Sequence, residues 1–154
     1  MTNNDILRRI RYIFDLSDDK MIKLFALADM EVSRAEVSDW LKRDDDPESE
    51  IILDHELATF LNGFISDRRG KREGPQPPAE RRLNNNLILR KLKIALNLKN
   101  EDMLAIFALA GRELSPHELS AFFRKYNHPK YRPCKDQYLR NFLIGMQERY
   151  RPNV

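Results

Sequence analysis

Three residues of types that ligate metals, His117, His128 and Cys134, fall close together in the second half of this chain. Their spacing matches no common zinc pattern and a fourth ligand is not evident, so neither a metal nor a cofactor is expected. Glu36 and Glu118 recur at equivalent places. Each follows a serine by three residues, and capping of a helix accounts for both without a shared catalytic cleft. Five glycines leave little room for a phosphate-cradling loop. No Ser-His-Asp or Cys-His arrangement can be assembled, so no catalytic residue is nominated. Two polar constellations remain. Asn4 and Arg8 recur as Asn86 and Arg90, four residues apart and therefore on one helical face. A helix cap with a snorkelling arginine is the first expectation for them, and a shared binding face the second.

The other constellation is a pair of long connections. Residues 43–50 read Arg-Asp-Asp-Asp-Pro-Glu-Ser-Glu, strongly acidic. The equivalent stretch of the second half contains Lys125, Tyr126, His128, Lys130, Tyr131, Arg132 and Lys135, basic residues interleaved with aromatics. Such a surface suits the backbone and bases of a nucleic-acid single strand, with Lys130, Arg132 and Lys135 on phosphates and the tyrosines stacking. It suits an acidic protein surface equally well, and two solvated loops that drifted apart would look the same.

These residues are positioned by a duplicated unit. Residues 3–70 and 85–152 align at a constant offset of 82 with no gap and 22 identities over 68 positions, which marks a gene duplication. Each copy reads as four helices. Ile6, Leu7, Ile10, Ile13 and Phe14 have helical spacing, with Asn4 placed to cap them. Ser17 or Asp18 starts the second helix. Ser33-Arg34-Ala35-Glu36 is a capping box opening the third, repeated as Ser115-Pro116-His117-Glu118 with proline at the first helical position. Asp54 is placed to cap the fourth. Strand-length alternation is absent. The pair of helices around residues 26–42 is read as a structural hairpin and not a DNA-reading helix-turn-helix, because Glu36 and Asp39 would face phosphates. The expected fold is all-α: a first repeat over 1–70, a Pro/Gly/charged linker over 71–84, and a second repeat over 85–154. One copy is near the size at which a single core is marginal, so the two are expected to pack with approximate two-fold symmetry.

The Asn-Asn-x-Ile-Leu-Arg opening of both copies, the Phe-Ala-Leu-Ala helix, the Phe-Leu-Asn-Gly segment and the linker ending Glu80-Arg81-Arg82-Leu83-Asn84-Asn85-Asn86 together resemble the bacterial YehS-like family, domain-of-unknown-function family 1456. The resemblance covers nearly the whole chain. It implies a duplicated domain in a bacterial cytosolic protein, and brings no catalytic or binding residues with it.

The repeats differ in sign. Residues 1–70 hold 10 basic and 16 acidic side chains, and residues 85–154 hold 13 and 6. An acidic half gains a nucleic-acid binder nothing. The expected function is therefore a non-enzymatic protein-interaction or regulatory adaptor with a protein partner. Nucleic-acid binding through the second repeat is the alternative, and a small enzyme a distant third. Opposite halves also predict charge-driven self-association. The single cysteine suits a reducing cytosol. No apolar run is long enough to span a bilayer, and the N-terminus lacks the pattern of a secretory signal.

Overall fold

The computed structural model describes residues 1–152. Among them are eight helices and no strand: α1 Asn3–Ile13, α2 Asp18–Leu27, α3 Arg34–Leu41, α4 Asp54–Arg69, α5 Asn85–Ala95, α6 Asn100–Leu109, α7 Pro116–Phe122 and α8 Asp136–Tyr150. The protein is all-α, four helices to a repeat. It divides into two compact units, Met1–Leu83 and the chain from Asn84 onward.

Each core is built from the same positions. Ile6, Phe25, Trp40 and Phe60 are buried in the first unit, and Ile88, Phe107, Phe122 and Phe142 in the second. Phe25 sits at the centre of the first, with ring centroids 5.3 Å from both Trp40 and Phe60. Phe107 meets Phe142 at 5.2 Å in the second.

Two glycines allow close helix crossings. A Cβ on Gly63 of α4 would lie 1.7 Å from the carbonyl oxygen of Leu24 in α2, and one on Gly145 of α8 would lie 1.9 Å from that of Ile106 in α6. Only a residue without a side chain lets these backbones touch, which explains the repeated Phe-Leu-x-Gly.

The first two helices of each repeat end in the same way. After α2, the amide of Asp29 donates to Ala26 and that of Met30 to Phe25; after α6, those of Gly111 and Arg112 donate to Ala108 and Phe107. This paired ending needs a left-handed residue at its second position. Asp29 supplies φ 63° and Gly111 φ 77°. Asp15 and Asn97 hold the equivalent place after α1 and α5, with φ 51° and 53°. The Ser33–Glu36 and Ser115–Glu118 boxes both form as expected.

The segment after α4 belongs to the first unit. The Gln76 side chain donates to the carbonyls of Arg72 and Gly74, and the Leu83 amide donates to the Asp54 carboxylate at 2.9 Å.

Candidate functional site

The structure corrects the expected role of the paired asparagines. Thr2, not Asn4, caps α1, and Asn84 caps α5. Asn4 lies two residues further into the helix and is buried, 5 % exposed. Its amide nitrogen donates to the carbonyl of Trp40 at 2.9 Å and of Glu50 at 2.7 Å, and its oxygen accepts from the Ile52 amide at 3.2 Å. Asn86 donates to Phe122 and Arg132, both at 2.9 Å, and accepts from Cys134 at 2.8 Å. The partners correspond one to one across the offset of 82. One asparagine thus ties the end of the third helix to both ends of an extended segment, using its two donors and its acceptor together.

The residue before it completes the clamp. Asn3 donates to the Ile52 carbonyl and to Asp54, and Asn85 to the Cys134 carbonyl and to Asp136. Asp54 is therefore a tether and not the cap; Leu53 holds the cap position, and Glu56 accepts from its amide. Sequence reasoning missed Asn3, Asn85 and the two aspartates as a set, although all four are identical across the repeat.

Arg8 and Arg90 reach past the same clamp. Arg8 donates to the Lys42 carbonyl at 2.8 Å and pairs with Asp5 and Asp44. Arg90 donates to the Phe123 carbonyl at 2.7 Å. In the first repeat the Asp5 carboxyl beside Arg8 is held below its ordinary range: burial raises it, but the Thr2 backbone N–H and the Arg8 guanidinium prevail. Both arginines donate to the backbone that follows the third helix of their repeat, and Arg90 is otherwise exposed.

The connections behind the clamp have one backbone and two surfaces. The amides of Asp46, Ser49 and Glu50 donate to Arg43, Asp46 and Asp39; those of His128, Tyr131 and Arg132 donate to Lys125, His128 and Ala121. Each donor and acceptor is again displaced by 82. Even the side-chain bond inside the turn is matched: Asp46 accepts from the Glu48 amide at 2.9 Å, and His128 Nδ1 from the Lys130 amide at 3.0 Å. Outside this frame the side chains diverge. Lys125, Tyr126, His128, Lys130, Arg132 and Lys135 are all exposed, Tyr126 at 85 %. Tyr126 and Tyr131 meet edge to face at 5.5 Å. Arg132 is partly committed, 3.8 Å from Glu118. The Glu118 carboxyl is held below its ordinary range, first by the Ser115 backbone N–H and its hydroxyl and then by Arg132 and Arg112. Among the described residues, Lys125, Lys130 and Lys135 are the loop cations without an ion pair.

His117, His128 and Cys134 are not brought together as a ligand set. His117 is exposed on the first turn of α7, His128 accepts a backbone N–H, and Cys134 is a buried free thiol. Among the described residues, no group of three or more His, Cys, Asp or Glu side chains is arranged to hold a metal ion. Burial, helped by the charge of Asp136, pushes the Cys134 thiol up to about 12. It is a core atom and not a nucleophile. Among the described residues, no helix is long and apolar enough to cross a membrane.

Comparison with known proteins agrees with this repeat structure. The chain is 39% identical over 150 residues to the uncharacterized protein YehS of Escherichia coli (strain K12), covering 97% of this chain and 96% of that one. No solved structure matches it. A family model described as a protein of unknown function, DUF1456, matches residues 3–70 and again 85–151, the two repeats themselves. The chain belongs to the DUF1456 family, with one match to each copy of its duplicated unit.

Proposed function

We propose that this is a non-enzymatic binding protein, an interaction or regulatory adaptor, which presents the basic, tyrosine-bearing loop of its second repeat to an acidic protein surface. The observation that supports this most directly is the contrast between the two connections. Their backbone hydrogen bonds coincide, so the fold has no need of Lys125, Lys130 or Lys135, yet these side chains stand where the first repeat carries Arg43, Glu48 and Leu53. A loop braced by its own backbone hydrogen bonds loses less conformational freedom on binding than an unbraced one, and an exposed tyrosine is a common anchor. The reading places the protein in the cytosol, in keeping with a single cysteine kept as a buried thiol.

Nucleic-acid binding is the second reading, favoured by Tyr126, whose exposed ring stands among lysines. One experiment separates the two. A photo-crosslinking amino acid replaces Tyr126 in the full chain, in bacterial cells, with and without nuclease treatment of the lysate. The expected result is a discrete protein adduct that survives nuclease and disappears when Lys125, Lys130 and Lys135 are all changed to Glu. Adducts lost to nuclease would favour the second reading. In that case the same three substitutions should lower the salt slope of single-strand binding by about two units. No adduct of either kind would remove the loop from consideration.

A further inference from the structure

We propose that an acidic groove on the first repeat is the docking site for the basic loop of a second copy of this chain, so that molecules associate head to tail. This rests on the reading of that loop as a docking surface, and names one of its partners.

The groove is an open recess of about 570 Å³ beside α3, the first connection and the start of α4. Four carboxylates line it: Glu36 and Asp39 from α3, Glu50 from the connection and Glu56 from α4. Two of them each give one oxygen to a helix-cap amide, Glu36 to Ser33 and Glu56 to Leu53, and Asp39 pairs with Lys42. One lysine against four carboxylates leaves the recess strongly negative. Its lining also includes Ile51 and Leu53, 77 % and 61 % exposed. Their exposure follows from the clamp. Asn3 and Asn4 hold Ile52 inward at 0 % exposure, and in an extended segment its two neighbours must then face out. Two adjacent aliphatic side chains held in water beside a recess have no role in the core and are suited to a contact.

The occupant is argued from charge and shape. A partner for this recess should carry several cations around an apolar projection. The loop of the second repeat carries Lys125, Lys130 and Lys135 around the Tyr126–Tyr131 pair. Both surfaces are present on every molecule in equal number. The pairing is also directional. At the equivalent site of the second repeat, Asp39, Glu50, Ile51, Leu53 and Glu56 are replaced by Ala121, Arg132, Pro133, Lys135 and Tyr138. Like surfaces therefore repel, and the contact that forms is between unlike ones, which extends or closes into a ring.

Sedimentation of the full chain at low and at high salt tests this, with two variants. Glu50→Lys/Ile51→Lys alters only exposed side chains of the groove, and Lys125→Glu/Lys130→Glu only exposed side chains of the loop. The expected result is a wild-type mass above that of the monomer at low salt, falling toward the monomer as salt screens the contact. Each variant alone should run as a monomer with unchanged helical circular dichroism. A one-to-one mixture should recover association, because each variant supplies the surface the other lacks. The single change Ile51→Ser should weaken association about tenfold, even if a double variant fails to fold. A wild-type chain that is monomeric at both salt concentrations overturns the proposal, as does a groove variant that associates like wild type. Tyr126 crosslinking to another protein would then still stand, so the failure of self-pairing is distinguishable from failure of the loop itself.

Discussion

Residues 43–53 and 125–135 turn at the same positions, are bound by equivalent asparagines and lead into equivalent aspartates, yet one presents carboxylates and the other lysines and tyrosines. The turn bond shows how this is managed. Its acceptor is a carboxylate oxygen in Asp46 and an imidazole nitrogen in His128, two chemistries that deliver one lone pair to one amide. What the fold requires of the loop is a set of backbone bonds and an inward residue, Ile52 or Cys134. Everything that faces outward was free to change sign. On the proposed reading, function belongs to the outward set and stability to the inward set, and substitutions in the two sets should separate accordingly.

The largest expected effect is in the cores. Trp40→Ala and Phe122→Ala should each cost about 3–5 kcal/mol, the range for truncating a buried aromatic. Because two units can unfold separately, denaturant titration should be read alongside amide exchange within each repeat. A loss below about 1 kcal/mol for one member of the pair would break the equivalence of the repeats at that position.

Next come the clamps. Asn4→Ala leaves the carbonyls of Trp40 and Glu50 and the amide of Ile52 without their partner, and Asn86→Ala does the same to Phe122, Arg132 and Cys134. Each buried polar group left unpaired costs about 1–3 kcal/mol, and water reaching the outer carbonyl recovers part of it, so a loss of about 2–4 kcal/mol is expected in either repeat. The sharper reading is local. The Ile52 amide should lose protection from exchange in Asn4→Ala and the Cys134 amide in Asn86→Ala, each without change in the other repeat. Equal loss of protection at both sites in either variant would mean that the clamps do not act within their own units.

Much of this was legible in the sequence. Apolar spacing located the helices, and Ser33 and Glu36 announced a helix start because both halves of a capping box lie within four residues. The role of Asn4 was not legible. An asparagine near a helix start is chemically able to cap or to reach elsewhere, and only the folded chain brings Trp40, Glu50 and Ile52 to it. Gly63 and Gly145 were seen as part of a matched motif, but the reason for them is a carbonyl of another helix. Asp29 stands where the second repeat has Gly111, yet the two form the same left-handed turn, which aspartate tolerates better than most residues. The candidate loop was visible as composition; that its backbone repeats the acidic loop was not, because Asp46 and His128 share no class, only an acceptor.

The smallest effect separates the two inward residues. Ile52 has no ionisable group, whereas the Cys134 thiol is held up to about 12 by burial and by the charge of Asp136. In an unfolded chain a thiol titrates near about 8.5. Below that value both states keep the proton and Cys134 adds no pH dependence. Between it and about 12 the unfolded chain releases a proton that the folded chain retains, so folding stability falls as pH rises, by up to about 1.4 kcal/mol per unit. Replacing the thiol by an apolar side chain of similar size, Cys134→Val, removes this slope. Denaturant titrations from pH 7 to pH 10 should give parallel curves for wild type and variant up to about pH 8, and a wild-type deficit growing to about 1–2 kcal/mol at pH 10. Tyrosines and lysines titrate in the same range but are common to both proteins, so they cancel in the difference. Curves that stay parallel to pH 10 would show that the thiolate forms in the folded protein, and that the inward face of the second loop, unlike that of the first, opens to water.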